Sequence, residues 1–238
     1  MKLRKINRGI VLGCIALVAT ASYVIYDNIQ FSKNQTTIAN SIESYLDDLS
    51  NARCSVKDKN KLVDTYKDVI GKYWTSSDFI NSGDITFTSK TQLISDIDDC
   101  LKNYDITGYF VSSNIKVDDV SVSKYGNNGA IATVEYKAAS EFYGAPLNIE
   151  GGMATQVDNE NYTFEDGINT DPNNHYKQIT SYSDTFYLTS VDGKWMIAGA
   201  QEGFFGYEKQ TKRITDEDSS SLSDTDNSSE QKGGADSE

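Results

Sequence analysis

The apolar residues of this chain recur with a helical period as far as Tyr104 and with a period of two beyond Gly108, and this one switch restricts the fold more than any motif does. Ile38, Ile42, Tyr45, Leu46 and Leu49 mark one face of a helix, and Leu62, Val63, Tyr66, Val69, Ile70, Tyr73 and Trp74 mark a second. These are two helices, or one long kinked helix. A third opens at Ser89-Lys90-Thr91-Gln92, which has the form of a capping box, and continues through Leu93, Ile94, Ile97, Leu101 and Tyr104. Past Gly108 the alternation Ile115, Val117, Val120, Val122 slips at Asp118-Asp119, the mark of a bulge. Gly126-Asn127-Asn128-Gly129 then turns the chain into Ala130 to Ala138. Residues 140 to 176 are rich in Gly, Asn and Asp, with Tyr162 and Phe164 as a short strand. Tyr182, Phe186 and Leu188 alternate up to Val191, and Asp192-Gly193 is a tight-turn signal before Lys194-Trp195-Met196-Ile197-Ala198. Helices first and strands afterwards predict an α+β domain, its helices packed on an antiparallel sheet and its last hairpin closing near Tyr207.

The ends of the chain differ from this body. Gly9 to Tyr26 is an 18-residue run without a charge. As a helix it would span about 27 Å, close to the hydrocarbon thickness of a bilayer. Lys2, Arg4, Lys5 and Arg8 precede it and Asp27 follows, so the positive-inside bias puts the N-terminus in the cytoplasm and the rest of the chain outside. Ala19-Thr20-Ala21 also allows a secreted protein cleaved from a signal peptide, although the apolar run continues past that site. Leu12-Gly13-Cys14 as an acylation box would have too short an apolar segment before it. Residues 214 to 238 hold eight acids against Lys232, among Ser, Gly and Asn, and such a segment cannot bury enough surface to order itself. The expected organisation is a basic cytoplasmic tail (1–8), a transmembrane helix (9–26), a linker (27–37), an extracytoplasmic domain (38–213) and a disordered acidic tail (214–238). A net charge of −13 repels phosphate backbones and excludes nucleic acid as a partner of the body. The preference for Lys over Arg suggests an AT-rich bacterial genome.

Two long helices, a shorter third, and a meander ending in Thr185 to Phe204, TFYLTSVDGKWMIAGAQEGF, resemble the nuclear transport factor 2-like cone superfamily over roughly residues 38 to 207. The aromatic-alternating strand, the Asp-Gly turn and the Lys-Trp-x-Ile start of the last strand carry the resemblance. It implies helices packed on a curved antiparallel sheet. With the membrane segment, the layout is similar to the scaffold subunits of conjugation and type IV secretion machines and to membrane-attached cones beside cell-wall enzymes. The main expectation is therefore a single-pass, extracytoplasmic interaction module with protein partners in the cell envelope. The alternative is a small-molecule binding or processing cone, similar to the superfamily's dehydratases and isomerases. Those enzymes work with His, Asp and Tyr inside the cone, whereas the sole histidine here, His175, falls in the loop Asn173-Asn174-His175-Tyr176, which weighs against catalysis.

Candidate site residues follow from residue type. Tyr136, Tyr182, Phe186 and Trp195 would line a pocket or simply form core. Asp184, between Tyr182 and Phe186, is the candidate general base, since a carboxylate among aromatics has a raised pKa, and a shift of one residue in register would turn it outward. Cys54 and Cys100 would form a disulfide contributing about 4 kcal/mol, or remain two separate small residues. Asn169, Asp171 and Asn173 place oxygens at alternate positions as a calcium loop does, but Thr180 stands where the closing acid belongs. No phosphate loop, paired-carboxylate motif or zinc spacing is present, and no cofactor is expected.

Overall fold

The computed structural model describes residues 8–76, 87–126, 128–156, 171–201 and 209–214, with side chains from Asn28 onward and, in the last segment, that of Ile214 alone. Helix α1 (Arg8–Ser55) is one unbroken rod of 48 residues. The expected linker 27–37 is therefore helical, and the reason is local: Asp27 to Thr37 contains neither Gly nor Pro to stop a helix. The face of α1 carrying Ile38, Ile42, Tyr45, Leu46 and Leu49 is buried as its spacing predicts. The side chains of residues 9–26, on which the membrane-span expectation rests, lie outside the described residues. Among the described residues no helix is long and apolar enough to cross a membrane.

Asp58 caps α2 (Lys59–Tyr73) by accepting from the N–H groups of Asn60 and Lys61, and Leu62, Val63, Tyr66 and Ile70 form its buried face. A two-residue strand, β1 (Thr88–Ser89), runs into α3 (Lys90–Asn103), and Ser89 caps it by accepting from Gln92 N–H at 3.2 Å. Only half of the capping box forms, because the Gln92 amide turns forward to Asp96.

The main sheet is antiparallel. Its order is β1, β7 (Lys194–Gln201), β6 (His175–Val191), β3 (Gly129–Tyr143) and β2 (Tyr109–Tyr125), and β8 (Lys209–Ile214) pairs with the first half of β6 while β7 takes the second half. The expected bulge is present as a register shift between Val117 and Asp119, and a second lies between Phe110 and Ser112. Asp192 and Gly193, both at positive φ, join β6 to β7 as the turn chemistry requires. Ile214, assigned to the tail from its sequence, ends β8 opposite His175. His175 itself is the first residue of β6 and not a loop residue; its Nε2 lies 2.8 Å from Glu141 Oε1, and its ring stacks on Tyr143 at 4.3 Å.

A second sheet has no counterpart in the sequence reading. β4 (Leu147–Glu150) and β5 (Met153–Gln156) form a hairpin that, among the described residues, pairs only with itself. Every residue of β4 is buried. The hairpin is lodged between the helices and the inner face of the main sheet: Cys100 Sγ of α3 bonds Ala154 O on one side, and Gly152 lies against Ala200 of β7 on the other. Helices thus pack on an antiparallel sheet as the helix-then-strand order predicts, with an additional hairpin between them. Tyr162 and Phe164 lie outside the described residues.

Candidate functional site

Alternation places every second residue of β6 on the inner face of the sheet, and Gln178, Thr180, Tyr182, Asp184, Phe186 and Leu188 are all buried there. On β3 the inward set is Ala130, Ala132, Val134, Tyr136, Ala138 and Phe142. Small apolar residues on β3 face a row on β6 that becomes polar toward its start. Tyr136 and Tyr182 are direct partners in the β3–β6 register, and their rings stack with centroids 4.8 Å apart. Asp184 stands one diagonal step away, and Tyr136 Oη donates to its Oδ2 at 2.6 Å. The residue singled out as a general base is therefore buried, 2 % exposed, inside the domain and on the side that its register requires.

The hairpin supplies the opposite wall. Asn148 Nδ2 donates to Glu150 Oε1 at 2.7 Å, and the Tyr182 phenol hydrogen-bonds to the Glu150 carboxylate. At the hairpin tip Gly151 has φ +53, and a Cβ there would meet Asp184 Oδ2 at 2.2 Å, so only glycine lets the main chain come this close to the carboxylate. Three helix side chains reach across from the other layer. Tyr45 Oη donates to Gly151 O at 2.8 Å, Tyr66 Oη to Leu147 O at 3.3 Å, and Arg53 Nη2 to Ile149 O. Arg53 Nη1 also reaches Ser113 Oγ at 3.4 Å.

Burial, and then the neighbouring Asp184 carboxylate, hold the Tyr136 phenol well above the ordinary range, so it stays protonated and acts as a donor. Burial followed by the Glu150 charge does the same to Tyr182. Tyr45 and Tyr66 are raised in the same way, principally by burial. Two carboxylates, a guanidinium and four phenols thus share an interior in which isolated charges cost several kcal/mol each. Such grouping of buried ionisable side chains is characteristic of functional sites. Chemically it offers a fixed proton acceptor, Asp184, with a phenol already aligned on one of its oxygens.

The other sequence candidates are dispersed. Phe186 is buried edge-on to Tyr45, with centroids 6.1 Å apart, and belongs to the same interior. Trp195 lies on β7 about 17 Å along the sheet from the Ala200–Phe186 pair; it is half-buried, and its carbonyl accepts from Ser41 Oγ. Trp195 is thus core at the far end of the sheet and no part of this cluster. Cys54 and Cys100 are not bonded: Cys54 is exposed, and the Cys100 thiol is buried against the Ala154 carbonyl, facing the hairpin. Asn169 lies outside the described residues. Asp171 Oδ1 accepts from the main-chain and side-chain nitrogens of Asn173, a closed Asx turn, and no cluster of metal-binding side chains occurs among the described residues. Arg53, Asn148, Glu150 and Gly151 escape the sequence reading, although Arg53 falls on the apolar stripe of α1, four residues beyond Leu49, where a cation is out of place.

No protein-family model matches the sequence, and no curated protein matches it. Two solved structures from Novosphingobium aromaticivorans are similar to it at low scores. One, provisionally described as a scytalone dehydratase, is 11% identical with a TM-score of 0.37, covering 80% of this chain and 92% of that chain. The other, provisionally described as an aromatic ring hydroxylase, is 10% identical with a TM-score of 0.36, covering 74% of this chain and 93% of that chain. At these values neither activity transfers to this chain.

Proposed function

We propose that the domain is a nuclear transport factor 2-like cone that binds and processes a small molecule in its interior, with Asp184 as proton acceptor and Tyr136 as the donor that holds and polarises it. The observation that carries this reading is the 2.6 Å Tyr136–Asp184 hydrogen bond on the buried inner face of the sheet, at a place where packing alone would favour apolar side chains. Glu150 and Tyr182 extend the same polar surface. The test is a screen of small aromatic and carbonyl compounds against the full chain by ligand-observed NMR, repeated on Asp184→Asn. Compounds that show contacts to the Tyr136 and Tyr182 ring protons and lose about tenfold in affinity in Asp184→Asn support the reading. If no compound reaches those rings, or the variant binds equally well, the reading is wrong.

A second reading is favoured by the filling of the interior by the hairpin: a single-pass extracytoplasmic interaction module, held in the membrane by residues 9–26 and placed in a conjugative transfer or envelope assembly. In-cell crosslinking that captures defined envelope proteins from a site on the outer face of β2, and no interior binding, would select it over the first.

A further inference from the structure

Hydrogen bonding across the interior is one-sided. Tyr66 and Arg53 give their hydrogen bonds to the carbonyls of Leu147 and Ile149, alternate positions of β4 that leave the same edge of the strand, and Tyr45 gives its own to the carbonyl of Gly151 in the turn. In these three bonds the helices supply the donors and the hairpin the acceptors. On the sheet side Tyr182 likewise takes Glu150 as its acceptor. A segment of the chain itself therefore occupies a donor-lined space in the manner of a ligand.

Arg53 shows what such a space is built to hold. Arg53 is 2 % exposed and its guanidinium is the only cation of the interior cluster, yet no carboxylate lies within ion-pairing distance of it among the described residues. Nε and Nη2 form one edge of the guanidinium fork. Nη2 is used by Ile149 O and the Tyr66 phenol lies beside the guanidinium, while Nε itself is buried and makes no hydrogen bond of good geometry among the described residues. A neutral carbonyl fills half of an edge whose geometry matches both oxygens of a carboxylate. It also leaves the buried guanidinium without a direct ion pair among the described residues, which a bound carboxylate would supply.

The hairpin is seated through side chains of its neighbours, those of Tyr45, Arg53, Tyr66 and Cys100. Among the described residues it has no main-chain pairing with the six-stranded sheet, and it is entered through Gly144 at φ +58. Its departure would free Tyr45, Tyr66, Tyr182 and Arg53 together.

We propose that the interior takes a small carboxylate-bearing molecule whose carboxylate docks on the Nε–Nη2 edge of Arg53 in place of the Ile149 carbonyl, the β4–β5 hairpin being the internal occupant that yields to it. This rests on the reading of the interior as a small-molecule site and names the chemistry of its ligand. Benzoate and its neutral isostere benzamide are the probes, titrated by NMR into the full chain, into Gly151→Ala, which weakens the seating of the hairpin, and into Gly151→Ala with Arg53→Lys. Benzoate should bind Gly151→Ala about tenfold more tightly than the parent, benzamide should show no such gain, and Arg53→Lys should remove about tenfold of the benzoate affinity, since ammonium cannot form the fork. Because a change at buried Arg53 can unfold the domain, amide hydrogen exchange of the unaltered protein gives an independent readout. Benzoate, but not benzamide, should speed exchange across Leu147 to Gln156. Equal binding of benzoate and benzamide, or benzoate binding indifferent to Arg53→Lys, overturns the proposal. If benzoate fails while neutral compounds still reach the Tyr136 and Tyr182 rings, the carboxylate assignment falls and the interior site stands; if neither kind reaches them, both fall.

Discussion

Replacing Gly151 with alanine tests how closely the hairpin tip is locked to the sheet. At φ +53 an alanine is held in the left-handed region, which costs about 1 kcal/mol. The new Cβ would stand 2.2 Å from Asp184 Oδ2 and 2.9 Å from its Cγ, where ordinary contact begins at 3.4 Å, so one side must retreat by more than an ångström. Asp184 is not free to do so, because its Oδ2 is held by Tyr136 Oη at 2.6 Å. The hairpin tip moves instead and the Tyr45–Gly151 hydrogen bond is lost, about 1 kcal/mol more, with a similar amount for the packing loosened around it. The total is about 3 kcal/mol. Urea unfolding followed by far-UV circular dichroism measures it, with Gly193→Ala as reference: Gly193 has φ +77 and nothing within 4 Å of an added methyl, so it reports the backbone cost alone. In an Asp184→Ala background the clash disappears, and the cost of Gly151→Ala should fall to that of Gly193→Ala. Equal losses for the two glycines, or an undiminished loss without the carboxylate, would refute the claim that Asp184 and the hairpin tip are in contact.

Three further outcomes follow from other parts of the molecule. Tyr136→Phe removes the donor from a buried carboxylate and should cost about 2 kcal/mol in urea unfolding, whereas Tyr143→Phe, on the outer face, should cost almost nothing. Iodoacetamide without reductant should alkylate Cys54 well before Cys100; burial raises both thiols, so the reaction should accelerate above neutral pH, and recovery of the pair as a disulfide-linked peptide would contradict the structure. The Lys72 ammonium, 2.7 Å away, holds the Asp48 carboxyl below its ordinary value, so this contribution is present above the ordinary carboxylate pKa and is lost as the pH falls through the depressed one. A pH titration of stability should therefore lose a small acid-side component in Lys72→Ala, and an unchanged profile would show the pair to be inert.

Most of the architecture is legible because its signals are local. The stripe on α1, the Ser89 cap, the bulge at Asp118-Asp119 and the Asp192-Gly193 turn each depend on a few adjacent residues, and each forms as those residues dictate. Asp184 is legible for the same reason, since the alternation of β6 fixes the side it faces once Tyr182 and Phe186 face inward. The hairpin is not legible. Its strands have four residues each, and β4 is buried on both faces, so Leu147-Asn148-Ile149-Glu150 shows an alternation that normally means one wet face. Asn148 and Glu150 are buried because another layer of the protein covers them, which is a property of tertiary packing and not of the segment. The linker fails differently: residues 27–37 are polar, and a polar stretch suggests irregular chain, but with no helix breaker in it α1 simply continues.

The continuity of α1 has a mechanical consequence. Phe31 already packs against the core and Gln35 Nε2 already holds Val122 O, so from that point toward Arg8 the rod has no joint. Whatever holds its first turns thereby sets the azimuth of the whole domain as well as its distance. One residue inserted among the exposed positions Asn28 to Gln30 would swing the sheet by about 100° around the rod axis while advancing it only about 1.5 Å. Surfaces that must face a partner attached to the same support would be turned away by a single codon, and a four-residue insertion would bring them nearly back.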